Sequence, residues 1–169
     1  MLRYKDRIYT QAYYFMGCPQ DAEDIVQDVF LRFWDHADEI DSDHIFSWLC
    51  RVTKNLCIDS SRKKREQLID YKEDDDNGRY VDEVVQDSSA NPEQTMIYND
   101  FYETIIRQIS KLPEKIRMIV IMRDIQDCSY DVIADSVSLP LNTIKVYLHR
   151  GRKMLAERIK FLKNDYKME

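Results

Sequence analysis

Basic side chains near the C-terminal end of this 169-residue chain are the residues best suited to bind another molecule. Residues 141–160 carry six basic side chains and the single acid Glu157. On an α-helix, their spacing would separate an apolar face from a polar, basic one. Guanidinium and ammonium groups bind phosphates and guanine acceptor atoms, and a valine methyl can contact the methyl of thymine. We expect duplex DNA to contact the polar face, which comprises Asn142, Thr143, Lys145, Val146, His149, Arg150 and Lys153.

A helix-turn-helix would position this basic face. Ser129 can cap a short helix, and the small side chain of Ala134 would let a second helix cross closely. Residues 138–140, Ser-Leu-Pro, are typical of a turn, after which Asn142 or Thr143 would cap the basic helix. An ordinary amphipathic helix on a small bundle would also explain a basic face. The cap, small residue, turn and basic face occur in one register, which favours a helix that enters the major groove. We expect Lys153 of that face, and Arg152 and Arg158 beside it, to contact phosphates.

A second basic segment lies in the N-terminal half, where residues 51–65 carry six basic side chains and the single acid Asp59. The predicted apolar stripe of this helix comprises Ile45, Leu49, Val52 and Leu56. Another face carries Arg51, Lys54, Asn55 and Arg62. Such a helix can lie along a phosphate backbone while an amide reaches a base edge or a sugar. A short polar loop before the helix can present Asp43 and His44 to an unpaired base.

A third segment, residues 21–36, has the periodicity of a helix that packs on one side. The face opposite its apolar stripe carries Asp24, Gln27, Asp28 and Leu31. Carboxylates on a surface helix can simply be solvated. A leucine among carboxylates and an amide is also what a docking surface for a basic partner helix would contain. The sequence leaves both interpretations open.

Composition indicates an all-α fold. The chain has only three glycines and four prolines, too few for a turn-rich β architecture. Residues 66–100 hold eleven acids against Lys72 and Arg79, and turn formers lie among them. Such a segment is typical of a flexible or loosely docked linker. We predict two small helical domains, residues 1–65 and 96–169, joined by an acidic linker of residues 66–95, with the helix-turn-helix in the second domain.

The sequence also suggests where the protein acts. No run approaches the roughly 20 apolar residues that cross a bilayer, and the first residues contain no apolar signal core. We expect a cytoplasmic protein with no direct membrane insertion. The net charge of −6 argues weakly against nucleic-acid binding, but phosphate attraction is local and therefore depends on the two basic segments.

No pattern of catalytic or metal-binding residues is evident. The chain has no phosphate-binding glycine loop, and its three histidines lie far apart in sequence. The four cysteines, Cys18, Cys50, Cys57 and Cys128, form no CxxC pair and have no zinc-site spacing. We expect free thiols that pack as small apolar residues, without an assigned function. We predict no enzymatic activity, no cofactor and no metal.

Three motifs together resemble the extracytoplasmic-function sigma factors of bacterial RNA polymerase. The stretch DAEDIVQDVFLRFW is similar to the family's second region, and FSWLCRVTKNLCIDSSRKKR is similar to the helix that follows it. The segment from LPEKIRMIVIMRDIQDCSYDVIADSV through NTIKVYLHRGRKML resembles the fourth region. The motifs cover nearly the whole chain apart from the linker, in the family's order and spacing.

The resemblance implies roles for residues already singled out. Asp24, Gln27 and Asp28 match positions that dock on the clamp helices of core RNA polymerase, and Leu31 lies on the same face. Asn55, Asp59 and Arg62 match the region that binds the melted minus-ten element of promoter DNA, and the loop with Asp43 and His44 would hold a flipped base. The minus-thirty-five readers are matched by Lys145, Val146, His149 and Arg150. The family also implies an anti-sigma factor as a partner, which is often anchored in a membrane. A signal would cause this partner to release the sigma factor.

The chain departs from the family pattern at four positions. Ser138 stands where the family often has a glycine in the helix-turn-helix turn. Val146 replaces a commonly polar residue and His149 an often aromatic or basic one, so the promoter sequence that is read is open. Val132 stands where an acid commonly completes the helix cap.

The sequence leaves two other functions open. A conventional transcription regulator would bind an operator without polymerase, but its sensor half would have no use for the second basic face at residues 51–65. A helical nucleic-acid enzyme could hold a metal with Asp24 and Asp28, which lie one helical turn apart. No further ligand cluster supports that possibility.

Overall fold

The computed structural model describes residues 2–70 and 95–165, with side chains for residues 3–67 and 102–160. These residues form seven α-helices and no β-strand. The helices are α1 (Leu2–Met16), α2 (Pro19–His36), α3 (Ile45–Asp70), α4 (Thr95–Ser110), α5 (Glu114–Val120), α6 (Tyr130–Val137) and α7 (Leu141–Asp165). The predicted all-α class with a helix-turn-helix is confirmed. None of the described helices is both long enough and apolar enough to cross a membrane.

The first three helices pack around the N-terminal part of the core. Gly17 ends α1 with a φ of 73°, a left-handed conformation that glycine adopts at little cost, and Pro19 opens α2. α2 buries the predicted stripe that includes Ile25, Val26 and Val29. The predicted stripe of α3 packs on the core, because Leu49 is buried and Ile45, Val52 and Leu56 are half-buried against it. The buried positions of α3 extend beyond that stripe to Ser47, Cys50, Thr53 and Cys57.

The acidic segment predicted as a linker lies mostly outside the described residues. Residues 66–70 continue α3, and residue 95 begins α4. The proposed boundaries at residues 65 and 95 stay a prediction.

The helix-turn-helix consists of α6 and α7. Ser129 caps α6 as predicted, because its hydroxyl accepts a hydrogen bond from the backbone N–H of Val132 at 3.3 Å. The expected cap of α7 by Asn142 or Thr143 is wrong. α7 begins at Leu141, and the carbonyl of Pro140 accepts bonds from the N–H groups of Thr143 and Ile144.

A glycine lets α7 approach α5 closely. Gly151 is buried, and a Cβ built on it would lie 2.6 Å from a methyl of Val120 and 2.8 Å from a methyl of Ile116. These distances are shorter than any real contact between carbon atoms, so a larger residue would push the two helices apart. The basic helix is therefore fixed against α5 by its apolar face, which leaves the polar face outward.

One hydrophobic core runs through both halves of the molecule. The buried amide of Gln11 in α1 donates to the carbonyl of Cys50 at 3.0 Å and approaches the sulfur of Met118 at 3.2 Å. The guanidinium of Arg117 in α5 donates to the carbonyl of Phe15 at 3.2 Å and lies over the Phe15 ring. α1 and α3 therefore pack directly on the C-terminal half.

The turn of the helix-turn-helix supplies a stability test. Ser138 has φ 53° and ψ 46°, the left-handed conformation that costs a residue with a side chain roughly 1–2 kcal/mol. Ser138→Gly should relieve this strain, although glycine also gains entropy in the unfolded chain. We expect the free energy of unfolding in urea to rise by about 0.5–1 kcal/mol.

Ser61→Gly in α3 is the matched control for that test. Ser61 lies inside a right-handed helix, where glycine should lower the free energy of unfolding by about 0.5 kcal/mol. Equal losses in both variants would contradict the strain at Ser138.

Candidate nucleic-acid and protein interfaces

The polar face of α7 is presented to solvent. Six of its seven predicted DNA-binding residues are exposed, and Thr143 in the first turn is half-buried. Val146 keeps 48% of its surface accessible, which is unusual for a valine beside a packed core and leaves its methyl groups free for an apolar contact. The ammonium of Lys145 lies 5.8 Å from the ring centre of Tyr130 in α6. The six exposed residues of this face are Asn142, Lys145, Val146, His149, Arg150 and Lys153.

Two arginines beside this face are engaged within the molecule. The Arg152 guanidinium donates to both carboxylate oxygens of Asp124, at 3.1 and 2.5 Å, and this hydrogen bonding raises the pKa of Arg152. Arg158 donates to the carbonyls of Gln108 and Lys111 at 3.3 and 3.2 Å. Both side chains therefore help to position α7 in this structure, and their expected phosphate contacts stay a prediction.

Further basic residues lie next to α7 in a cleft of about 720 Å³. The cleft lies between the C-terminal part of α3, the α4–α5 connection and α7, and its basic lining residues are Arg65, Lys111, Lys115, Arg117 and Arg150. Arg65 pairs with Glu114 at 2.8 Å across it. Two of these residues were not predicted from the sequence: Lys111 lies in the short α4–α5 connection, and Lys115 lies in the first turn of α5.

The polar face of α2 is also exposed. Asp24, Gln27, Asp28 and Leu31 all face solvent, and Leu31 keeps 65% of its surface accessible. Trp34 was not predicted as part of this face, and it is 74% exposed one helical turn beyond Leu31. An exposed leucine and tryptophan next to carboxylates form a surface with an apolar part and an acidic part, as a docking site for an amphipathic basic helix requires. The sequence did contain a signal for Trp34, because it lies three residues after Leu31 and therefore on the same face of the helix.

A cleft of about 400 Å³ lies where the loop before α3 meets that helix. The loop forms two short 3₁₀ turns, Ala37–Glu39 and Ser42–His44, and the Asp41 side chain caps the second by accepting from the N–H of Asp43 at 3.2 Å. The lining residues are His36, Glu39, Ile40, Asp41, His44, Trp48, Arg51 and Asp135. Asp43, predicted for the same loop, is exposed at its surface.

Asp135 of α6 closes one side of this cleft. Its carboxylate accepts a hydrogen bond from the Arg51 guanidinium at 2.8 Å and another from the hydroxyl of Ser47, and it lies 3.5 Å from Nδ1 of His44. Arg51 also donates to the Asp135 carbonyl at 3.0 Å. Lys54 donates to the carbonyl of Ser136 at 3.4 Å. We call these contacts between α3 and α6 the interdomain clasp.

The titration of the clasp residues reflects their surroundings. The hydrogen bond from Ser47, and then the charges of Arg51 and His44, lower the pKa of Asp135 despite its partial burial. Burial, and then the charge of Arg51, lower the pKa of Lys54. Because its pKa is lowered, the Asp135 carboxyl stabilises the clasp fully above the pKa of a free aspartate. That contribution is lost only as pH falls through the lowered pKa of Asp135, so its carboxylate is ionised at neutral pH.

The three other predicted residues of α3 lie away from α6. Asn55 is exposed, and Asp59 and Arg62 are exposed and form a weak pair at 4.0 Å. Arg62 also approaches Glu66 at 3.7 Å. The predicted minus-ten set is therefore divided. Asn55, Asp59 and Arg62 are accessible to a partner, whereas Arg51 and Lys54 are engaged with α6.

The arrangement offers surfaces for recognition. Within the described part of the chain, no group of three or more His, Cys, Asp or Glu side chains is placed to hold a metal ion. Asp24 and Asp28, considered above as metal ligands, lie on the exposed face of α2.

Comparison with protein families gives two matches that together span most of the chain. Residues 1–67 match the family model for Sigma-70 region 2, and residues 102–155 match that for Sigma-70, region 4. The first match contains α1, α2 and most of α3, with the exposed face of α2 and every lining residue of the 400 Å³ cleft except Asp135. The second contains the helix-turn-helix.

Several characterised proteins are similar to the chain over most of its length. The ECF RNA polymerase sigma factor SigW of Bacillus subtilis is 32% identical over 161 residues, which are 94% of this chain and 86% of SigW. The ECF RNA polymerase sigma-E factor of Escherichia coli is 26% identical over 146 residues, 82% of this chain and 74% of that protein.

Two solved structures share the fold. The sigma factor RpoE, in complex with the anti-sigma factor NepR from Bartonella quintana, has a TM-score of 0.69 at 19% identity and covers 94% of this chain and 93% of that one. CnrH, in complex with the cytosolic domain of CnrY, has the same TM-score and identity and covers 94% of this chain and 84% of its own.

Asp135→Asn tests the interdomain clasp. The amide keeps the size of the side chain but removes its charge, so the contact with Arg51 should weaken by about 1 kcal/mol, because both side chains are more than a third exposed. We expect backbone amides of α6 to exchange with deuterated solvent about five-fold faster at neutral pH.

The control for that measurement is Asp28→Asn, which removes an exposed carboxylate from α2 without touching the clasp. Its exchange rates in α6 should match those of the parent protein. Unchanged exchange in Asp135→Asn would mean that apolar packing alone holds α6 on α3.

Proposed function

This chain belongs to the extracytoplasmic-function sigma factors of the sigma-70 family, and we propose that it connects core RNA polymerase to promoter DNA through three separate surfaces. The observation that carries the proposal is the joint exposure of the α2 face and the α7 face on one packed molecule. No bond is made or broken in this function, since binding energy alone can direct polymerase to a promoter. The protein would act in the cytoplasm, where polymerase and promoters are found.

The face of α2 is the proposed polymerase contact. Asp24, Gln27, Asp28 and Leu31 would bind the clamp helices of core polymerase, and the exposed Trp34 extends the same surface by one turn. Carboxylates at the rim would steer and orient a basic helix, while the two large apolar side chains would supply desolvation energy at the centre.

The cleft before α3 and the outer face of that helix are the proposed minus-ten surface. Asp43 and His44 would contact a base displaced from the duplex, and Trp48 supplies an aromatic wall in the cleft. Arg51, Lys54, Asn55, Asp59 and Arg62 would follow the single strand along α3. Since binding favours the state with more contacts, capture of an unpaired base would shift the promoter toward its open form.

The outer face of α7 is the proposed minus-thirty-five reader. Lys145, Val146, His149 and Arg150 would contact base edges in the major groove, with Asn142 and Thr143 at the start of the helix and Lys153 on phosphates. The intramolecular pairs of Arg152 and Arg158 support this assignment, because they fix the helix that carries the readers.

The clasp implies a closed and an open form. Arg51 and Lys54 cannot bind Asp135 and Ser136 and also lie along a DNA strand, so promoter opening requires α6 to leave α3. We propose an anti-sigma factor as the partner that sets when this happens. The two structural relatives are bound to NepR and to the cytosolic domain of CnrY. Anchoring of such a partner in a membrane, and its release by a signal, stay predictions from the family resemblance.

The polymerase surface is tested with the double variant Asp24→Ala/Gln27→Ala. Loss of two polar contacts on this face should weaken binding to core polymerase about 30-fold and reduce run-off transcription in proportion. Asp6→Ala, an exposed acid on α1, is the control and should bind like the parent protein. Specific DNA binding by a parent protein that does not associate with polymerase would instead identify a conventional regulator.

The upstream reader is tested with Arg150→Ala. If its guanidinium contacts a guanine, affinity for the preferred upstream element should fall by about 1–3 kcal/mol, and affinity for random duplex should fall much less. Fluorescence anisotropy with both duplexes at several salt concentrations separates the two contributions. An equal loss on both duplexes would identify Arg150 as a phosphate contact.

A further inference from the structure

The cleft of about 720 Å³ beside α7, which we call the basic cleft, differs in charge from the cleft before α3. The cleft before α3 is lined by three acids against Arg51 and two histidines. The basic cleft is lined by five arginines and lysines and the single acid Glu114. A concave site of this size can enclose a small molecule, and its charge favours an anion. The five basic residues are Arg65, Lys111, Lys115, Arg117 and Arg150.

Most of these cations are available to a ligand. Lys111, Lys115 and Arg150 are exposed, and their side-chain nitrogens make no hydrogen bond or ion pair within residues 3–67 and 102–160. Arg65 pairs with Glu114 at 2.8 Å, but 64% of its side chain is accessible. Because so exposed an ion pair is weak, an anion of higher charge can compete with the Glu114 carboxylate. The basic cleft therefore offers positive charge that the protein itself does not neutralise.

The backbone that carries Lys111 is held in place from two directions. Arg117 in α5 donates to the carbonyls of Ser110 and Leu112, the second at 3.1 Å, and so fixes the residues on both sides of Lys111. Arg158 in α7 donates to the carbonyl of Lys111 itself at 3.2 Å. Since this backbone is fixed before any ligand arrives, binding orders only the lysine side chain, which lowers the entropy cost.

The basic cleft also has an apolar part. Tyr147 is half-buried and lines the cleft one helical turn before Arg150 in α7. An aromatic ring beside cations suits a nucleotide, because a base can stack on the ring while its phosphates contact the cations. The lining is therefore suited to phosphates and, beside them, to a base. The other apolar lining residues are Leu112, Pro113 and Ile116.

We propose that the basic cleft binds a polyphosphate anion, whose adjacent phosphates contact Arg65 of α3 and three cations of the C-terminal half, Lys111, Lys115 and Arg150. Adjacent phosphates concentrate several negative charges and many acceptor oxygens, which matches cations that line one cleft from different elements. Inorganic polyphosphate and nucleoside triphosphates share this chemistry, and a contact between the base and Tyr147 would favour the nucleotide.

Such a ligand would bind the closed form selectively. Arg65 belongs to the N-terminal half, so it can share one anion with Lys111, Lys115 and Arg150 only while the two halves are packed together. A ligand that binds one form more tightly shifts the population toward that form. The regulatory effect rests on the proposed function, in which α6 must leave α3 before promoter DNA can bind along α3. The anion would therefore reduce promoter opening, and it would also occupy Arg150 of the proposed upstream reader.

The ligand test is isothermal titration calorimetry of the full chain with inorganic triphosphate, ATP and adenosine. We expect triphosphate and ATP to bind, ATP about ten-fold more tightly, and adenosine not to bind detectably. Tyr147→Leu should remove the advantage of ATP and leave the affinity for triphosphate unchanged. Equal affinities for ATP and triphosphate in the parent protein would support the site and identify inorganic polyphosphate as its ligand.

The site test is the double variant Lys111→Ala/Lys115→Ala, which removes two unpaired cations and should weaken triphosphate binding about 30-fold. The matched control is Lys5→Ala/Lys160→Ala, which removes two exposed lysines that do not line the cleft and should bind like the parent protein. Circular dichroism would verify that both variants fold.

Three results of these titrations would overturn the proposal. The first is the absence of triphosphate binding to the folded parent protein, and the second is an equal loss of affinity in the two double variants. The third is binding of random duplex DNA that depends on Lys111 and Lys115 while triphosphate does not bind, which would assign the basic cleft to the DNA surface instead.

Hydrogen exchange tests the preference for the closed form. Saturating triphosphate should slow the exchange of α6 amides about five-fold in the parent protein. Arg65→Gln removes the cation of α3, so triphosphate should still bind to the cations of the C-terminal half but should no longer slow that exchange. Unchanged exchange in the saturated parent protein would overturn the preference for the closed form.

The functional test compares run-off transcription with and without inorganic triphosphate, at a constant excess of magnesium. We expect about three-fold less transcript from the parent protein with triphosphate, and little change from Lys111→Ala/Lys115→Ala. An equal response of both proteins would overturn the regulatory role. If the parent protein supports no transcription even without triphosphate, the proposed function fails, and calorimetry still decides whether the polyphosphate site exists.

Discussion

α3 has two packed sides, and the side that faces α6 also carries Arg51 and Lys54. This contact determines which basic surfaces the molecule can offer. The Asp135 carboxylate contacts Arg51, Ser47 and His44. One wall of the cleft before α3 therefore comes from the other half of the chain. The polar face of α7 points away from the contact and stays exposed. Closing the molecule therefore acts on the two proposed DNA surfaces unequally, covering part of one and leaving the other free.

The interface between the two halves is well packed, but some of its buried polar atoms make no hydrogen bond. Among the described side chains, three buried polar atoms lack a hydrogen-bond partner: Oε1 of Gln11, Nε of Arg51 and Nε of Arg117. All three residues bridge the N-terminal and C-terminal halves. Unpaired buried polar atoms cost roughly 1–3 kcal/mol each, so this interface gains less stability than its apolar contacts alone would give. An interface with such a deficit can separate while each half keeps its own helices, as a protein with closed and open forms requires.

Sequence patterns predicted the helices well and their mutual contacts poorly, and the reason is physical. Helical periodicity identifies a buried face, as for Val29 in α2 and Ile133 in α6, but it carries no information on the partner that covers the face. α3 is covered by α1 and α2 on one side and by α6 on another, so its buried positions include Thr53 and Cys50. The cap at Ser129 was predictable because it depends on local hydrogen bonds. The site residues of α2 and α7 could be placed on exposed faces for the same reason, whereas the engagement of Arg51 by Asp135 depends on residues far apart in the chain.

The contact between α3 and α6 is held by charge at one point and by a bridging arginine at another. Asp135 holds α6 on α3 through its charge, which is fully present at neutral pH and moderate in strength because water reaches both partners. Closure by such ionic contacts is reversible, which suits a protein whose proposed function requires it to open. Arg7 of α1 acts on both sides of the same contact, because it anchors the segment before α6 through the carbonyl of Gln126 and also lies over the ring of Phe46 at the start of α3.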